Sequence, residues 1–141
     1  MIRWKLRNNQ LLWKLFQALL PKAKPNAQAC FLAGPNLSKP NKLYSAYAAS
    51  KAGLAQAVKT LDAELPIKCF MLAPGVVQTP IHEQGAKGGD ARSVEILRGG
   101  EETTSHQDIY DCLQWCLRSE VGGTTVHIVN DPWRGGHLRA A

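Results

Sequence analysis

Tyr47 and Lys51 stand four residues apart in the run Tyr44-Ser45-Ala46-Tyr47-Ala48-Ala49-Ser50-Lys51-Ala52-Gly53-Leu54. Inside a predicted helix that spacing puts both side chains on one face, about one turn apart. A phenol and an ammonium held so closely form a candidate acid–base pair. The positive charge favours the phenolate, which predicts a tyrosine pKa lowered toward the range where the group gives or takes a proton near neutrality. The spacing alone is a weak signal, because a helix can equally carry the tyrosine as core and the lysine as solvated surface.

The elements that must position this pair follow from apolar patterning and from breakers. Ala27 to Ala33 is a short apolar run and predicts a buried strand, followed by a loop from Gly34 to Lys42 rich in Pro, Asn, Ser and Lys. A long helix is expected from about Tyr44 to Glu64, ending before Pro66. Ile67 to Leu72 predicts a second strand, continuously apolar like the first, as parallel strands covered on both faces are. Ahead of these, residues 3–20 read as an amphipathic helix, with Trp4, Leu11, Leu12, Leu15, Leu19 and Leu20 at helical spacing and Pro21 stopping it. Its basic, acid-free character also suits a presequence or a membrane-surface helix. Its unbroken continuation into the strand pattern favours a scaffold helix.

Beyond the second strand, residues 75–105 form a long, polar, glycine-dotted stretch, expected to be a working loop or disordered. Ser105 is placed to cap a helix from His106 to about Glu120, on which Ile109, Leu113, Cys116 and Leu117 share a face. Thr124 to Val129 predicts a third strand. No repeat or linker divides the 141 residues, so they are read as a single domain spanning 1–141.

The hydrophobic share of 45% and charged share of 20% are those of an ordinary soluble domain, and no apolar run approaches the roughly 20 residues that span a membrane. Residues 1–61 carry ten Lys or Arg and no acid, the first acidic residue being Asp62. Such a basic half suits nucleic acid, anionic lipid or an acidic partner, or a missing segment that balances it. The aromatic residues do not interleave with a basic stripe, so neither nucleic acid nor membrane is expected as a partner. Cys30 and Cys69 fall in predicted buried strands, and Cys112 and Cys116 lie four apart on a helix with no second pair or neighbouring His to complete a zinc site. His82, His106, His127 and His137 are scattered without ligand spacing, so no metal is expected. Reduced thiols predict a cytoplasmic protein.

The Tyr47-Ala48-Ala49-Ser50-Lys51 helix, one strand, and then Leu72-Ala73-Pro74-Gly75-Val76-Val77-Gln78-Thr79-Pro80 together resemble the short-chain dehydrogenase/reductase family, in its Y-x-x-x-K and P-G-x-x-x-T motifs. The resemblance implies an α/β fold: the C-terminal half of a doubly wound, Rossmann-like parallel sheet of about three strands. Two long helices would lie on one face, one helix on the other, and a lid between. By the same resemblance Tyr47 passes a proton to or from the substrate oxygen, and Lys51 activates it and holds the nicotinamide ribose. Asn8 would anchor a relay water, and Pro74, Gly75, Val77 and Thr79 would bind the cofactor, NAD or NADP. The substrate would be a small carbonyl or alcohol. The helices 3–20 and 44–64 would pair subunits in a homo-oligomer, with Trp133 packing at a subunit contact.

Two departures weigh against full activity. No G-x-G-x-x-G turn occurs among the glycines, so the dinucleotide-binding half is not represented. The position that the family fills with serine is Gly34, although Gly34 with Asp131-Pro132-Trp133 resembles a subset that carries glycines there. Losing one such preorganised donor typically lowers rate by about 10²–10³. The sequence therefore supports an NAD(P)-dependent oxidoreductase impaired by truncation or, alternatively, a non-catalytic fragment or interaction module that keeps the oligomerisation helices.

Overall fold

The computed structural model describes residue 10 and residues 13–34, 44–100 and 103–129. Helix α1 covers 13–19 and tightens into a 3₁₀ turn at Leu20–Lys22, with Pro21 in that first turn. Strand β1 (Gln28–Leu32), helix α2 (Ser45–Glu64) and strand β2 (Lys68–Ala73) follow. After them come α3 (Pro80–Lys87), α4 (Ala91–Leu97), α5 (His106–Arg118) and β3 (Thr125–His127). The three parallel strands form one sheet in the order β1-β2-β3, the α/β arrangement expected. In it β1 and β2 run in register from Gln28↔Lys68 to Leu32↔Leu72.

The chain divides into two compact units: Met1–Ala73 with Cys116–Val126, and Pro74–Trp115 with His127–Ala141. In the first, Phe31, Leu54, Val58, Ile67, Cys69 and Met71 form the core, with Trp13, Phe16 and Leu20 packed onto it. Phe16 bridges the helix and sheet, its ring 5.6 Å from that of Phe31 and 6.4 Å from that of Trp13. Full burial of each such large side chain contributes about 1.5–3 kcal/mol. Thus α1 and α2 share one face of the sheet. The opposite face begins at Gln28, whose Nε2 donates to the Leu117 carbonyl of α5 at 2.8 Å. At the far end of α2, Asp62 Oδ1 accepts from the buried Cys69 N–H at 2.8 Å, which ties the helix to the start of β2.

Strand β2 is covered on both faces, because Cys69 and Met71 on one side and Phe70 and Leu72 on the other are all buried. Strand β1 departs from that expectation. Phe31 is buried, but Leu32 is 57% exposed and Cys30 is exposed as well. As an edge strand in this sheet, β1 has its core-facing side covered, while Cys30 and Leu32 point to the opposite side, which α5 covers only in part. Cys30 is therefore not the buried core thiol its apolar neighbours suggest.

In the second unit, the stretch 75–105 contains two helices where a loop was expected. Pro80 opens α3 behind the N-cap residue Thr79. Asp90 caps α4, accepting from Arg92 N at 3.3 Å and from the buried Ser93 hydroxyl at 2.5 Å. Glycines mark the ends of both helices and mask their periodicity in the sequence. Ser105 caps α5 as expected: Asp108 N donates to its Oγ at 3.0 Å, and the hydroxyl donates to Asp108 Oδ2 at 2.7 Å. No helix among the described residues is long and apolar enough to cross a membrane.

The uneven covering of β1 and β2 predicts a thiol pattern. A thiol reagent should label one cysteine, Cys30, in the native protein and all four in denaturant. Desolvation of its sulfur, and then the nearby Cys116, push the Cys30 thiol up to about 11, so labelling should be slow at neutrality and quicken as pH rises. Native labelling of Cys69, Cys112 or Cys116 at the same rate would contradict this packing.

Candidate functional site

The first turns of α2 carry Tyr47 and Lys51, both half-buried. Lys51 Nζ donates to the Leu32 carbonyl, the last residue of β1, at 2.7 Å. The same nitrogen lies 5.8 Å from the centroid of the Tyr47 ring. The pair therefore stands at the C-terminal end of a parallel strand, which is where open α/β sheets bind their ligands. Ser50 belongs to the helix instead, its hydroxyl donating to the Tyr47 carbonyl at 2.8 Å.

Burial sets the electrostatics of this pair. The Tyr47 phenol is raised above its ordinary 10.0, because removal of water penalises the phenolate. Lys51 is lowered from its ordinary 10.5 by the same loss of water around its charge. This corrects the expectation that the lysine lowers the tyrosine. The ammonium is engaged with the Leu32 carbonyl, and its attraction for a phenolate does not offset desolvation of the ring. Near neutrality the Tyr47 phenol therefore stays protonated.

Pro74, Gly75, Val77 and Thr79 belong to the second unit, in the turn that leaves β2. Gly75 adopts φ +74, in the left-handed region where a side chain is costly. A Cβ there would also lie 2.8 Å from Thr104 Oγ1. Two residues not assigned to the site from the sequence hold this turn. Thr104 N donates to the Val76 carbonyl at 2.6 Å, and His82 Nε2 donates to the Val77 carbonyl at 3.1 Å. Thr79 precedes α3 in extended conformation and makes no side-chain cap bond, so its hydroxyl is not committed to the helix.

The structure thus brings Tyr47 and Lys51 together and keeps Pro74, Gly75, Val77 and Thr79 on one short turn. Asn8 and Asp131-Pro132-Trp133 lie outside the described residues. The Leu32 carbonyl, invisible in any side-chain motif, is the partner of Lys51. For His82 a local signal existed, since Pro80 starts a helix whose first turn folds back on the preceding residues. Thr104 offered none, its partner being far away in sequence.

No protein-family model matches this sequence, and no curated protein matches it. Solved structures do. A short chain dehydrogenase from Salmonella enterica subsp. enterica serovar Typhi str. CT18 superposes with a TM-score of 0.63 at 19% identity, covering 83% of this chain and 48% of that one. This is the fold of the short-chain dehydrogenases. The same fold is shared with 4-hydroxyisoleucine dehydrogenase complexed with NADH, at TM-score 0.64, 18% identity, and coverage of 89% and 55%. A small-chain dehydrogenase in complex with NADPH gives TM-score 0.59, 20% identity, and coverage of 74% and 50%. The chain spans about half the length of these dehydrogenases.

The Pro74–Thr79 turn depends on Gly75. Gly75→Ala should destabilise the protein by about 1–2 kcal/mol, the cost of a side chain in the left-handed region. A lowered urea midpoint with unchanged slope would bear this out. An unchanged midpoint would mean that the turn does not hold this conformation.

Proposed function

We propose that this chain is the catalytic part of an NAD(P)-dependent oxidoreductase of the short-chain dehydrogenase type. The observation that carries the reading is the Tyr47–Lys51 pair, set one helical turn apart at the C-terminal end of β1 on this fold. Taken unit by unit, the residues present suit the nicotinamide end of a dinucleotide. In the first unit Lys51 keeps hydrogens beyond the one given to Leu32. In the second, Gly75 is exposed and the Thr79 hydroxyl makes no cap bond. These residues do not provide for the pyrophosphate, since no glycine-rich phosphate turn occurs in the sequence. Dinucleotide complexes of proteins sharing the fold support the choice of cofactor class.

When bound, the cofactor supplies or accepts hydride. In the reducing direction Tyr47 gives its phenolic proton to the oxygen of a small carbonyl substrate. Lys51 then stabilises the phenolate that forms, and Leu32 holds the lysine where it can do so. Gly34 contributes no hydroxyl, so Tyr47 is the donor to the substrate oxygen, and turnover is slow for this reason. Asn8 serves as the anchor of the relay water, and Pro74, Val77 and Thr79 with Gly75 orient the nicotinamide. Exposed Leu15 and Leu19, one turn apart on α1, support a homo-oligomer that pairs the helices 3–20 and 44–64.

A second reading is a non-catalytic module that retains the helix surface. Gly34, standing where the family carries its serine hydroxyl, favours it. Assays of NADH and NADPH oxidation with a panel of small aldehydes and ketones separate the two. Tyr47→Phe should lower the rate about 10²–10⁴-fold while leaving cofactor binding intact. Equal rates in both proteins would sink the enzymatic assignment. Reduction needs the neutral phenol, so its rate should hold up to the ordinary tyrosine range and fall only above 10.0. A fall beginning near neutrality would mean that Lys51 does lower the tyrosine.

A further inference from the structure

Gly34 lies directly against the catalytic pair. A Cβ built on it would be 2.5 Å from Lys51 Cγ, 2.9 Å from Lys51 Cβ and 3.3 Å from Tyr47 Cε1. Carbon atoms in comfortable contact stay about 3.5–4.0 Å apart, so all three approaches are too close. Rotating the lysine about χ1 moves Cγ but leaves Cβ in place, because Cβ is fixed by the backbone of α2. No rotamer therefore relieves the collision; α2 or the end of β1 must shift. The close approach has a visible product: the lysine stem crosses Gly34 and delivers Nζ to the carbonyl of Leu32, two residues earlier, at 2.7 Å.

We infer that Gly34 is a positioning residue acting through Lys51: its bare Cα is the surface over which the lysine stem passes, and a side chain at 34, the hydroxymethyl of serine included, displaces Lys51 from Leu32 and from the Tyr47 ring. A hydroxyl at position 34 and Lys51 in this place exclude one another. Installing serine does not add a donor to the site; it exchanges one for the lysine's position. The catalytic meaning of this exchange rests on the proposed roles of Tyr47 and Lys51, whereas the steric coupling is independent of them.

The test is NMR of protein labelled with ¹³C-lysine, in which the Lys51 ε-carbon signal is assigned with Lys51→Arg. In the native protein Lys51 should titrate below its ordinary 10.5. In Gly34→Ala and Gly34→Ser it should return to the ordinary range, and Tm should fall by about 4 °C or more. Adding Lys51→Gly to Gly34→Ala removes both Cγ and Cβ of the colliding side chain, so the two losses should be clearly non-additive. If Gly34→Ala alone does not fold, the double variant should. An unchanged Lys51 titration in Gly34→Ser, or a double variant as unstable as the summed single changes, overturns the inference. Displaced Lys51 with unchanged NADH binding and turnover would instead uphold the steric coupling and remove Lys51 from the catalytic reading.

Discussion

The hydrogen bond from Lys51 Nζ to the Leu32 carbonyl ties helix α2 to the C-terminal end of β1, and the geometry of the Tyr47–Lys51 pair depends on it. It sets the distance from ammonium to phenol ring, and the lysine stem runs across Gly34, which has no side chain. A charge-assisted bond to this carbonyl also gives the lysine a partner that partly replaces the water it has lost. The helix is held from below by a different set of contacts, in which Leu54 and Val58 meet Phe31, Cys69 and Met71. The core fixes the axis of α2, and the lysine fixes what its exposed end presents.

Desolvation governs the chemistry available there. Tyr47 and Lys51 are both shifted toward their neutral forms, the phenol upward and the ammonium downward, by burial alone. Such a pair resists forming the phenolate. A neutral donor kept protonated by its surroundings is a recurrent way to run acid chemistry near neutrality. The turn after β2 is built by other means, with backbone amide and imidazole donors from Thr104 and His82 taking the carbonyls of Val76 and Val77. Its conformation is thus secured by groups outside the Pro-Gly motif itself.

Much of the fold was legible from local pattern, because those elements are stabilised locally. The bounds of α2 follow from an unbroken helical run stopped before Pro66, β2 from a continuous apolar run, and the start of α5 from Ser105 and Asp108. Helices α3 and α4 were missed because glycines interrupt that stretch, although Pro80 and Asp90 both carried start signals. The exposure of Cys30 was not legible at all: it depends on which strands flank β1, and alternation within one strand does not say that. The direction of the Tyr47 shift was misread for a related reason. Spacing reveals a neighbouring charge, but burial is a property of the assembled fold. The steric meaning of Gly34 likewise emerges only when β1 and α2 are brought together.

Calorimetric titration of the chain with NADH beside reduced nicotinamide mononucleotide tests the account most directly. The residues assigned here address the nicotinamide end and none addresses the pyrophosphate. Both ligands should therefore bind with dissociation constants within about tenfold of one another, and Lys51→Ala should weaken both. Binding of neither ligand at millimolar concentration, or binding of NADH alone that is indifferent to Lys51→Ala, would contradict it.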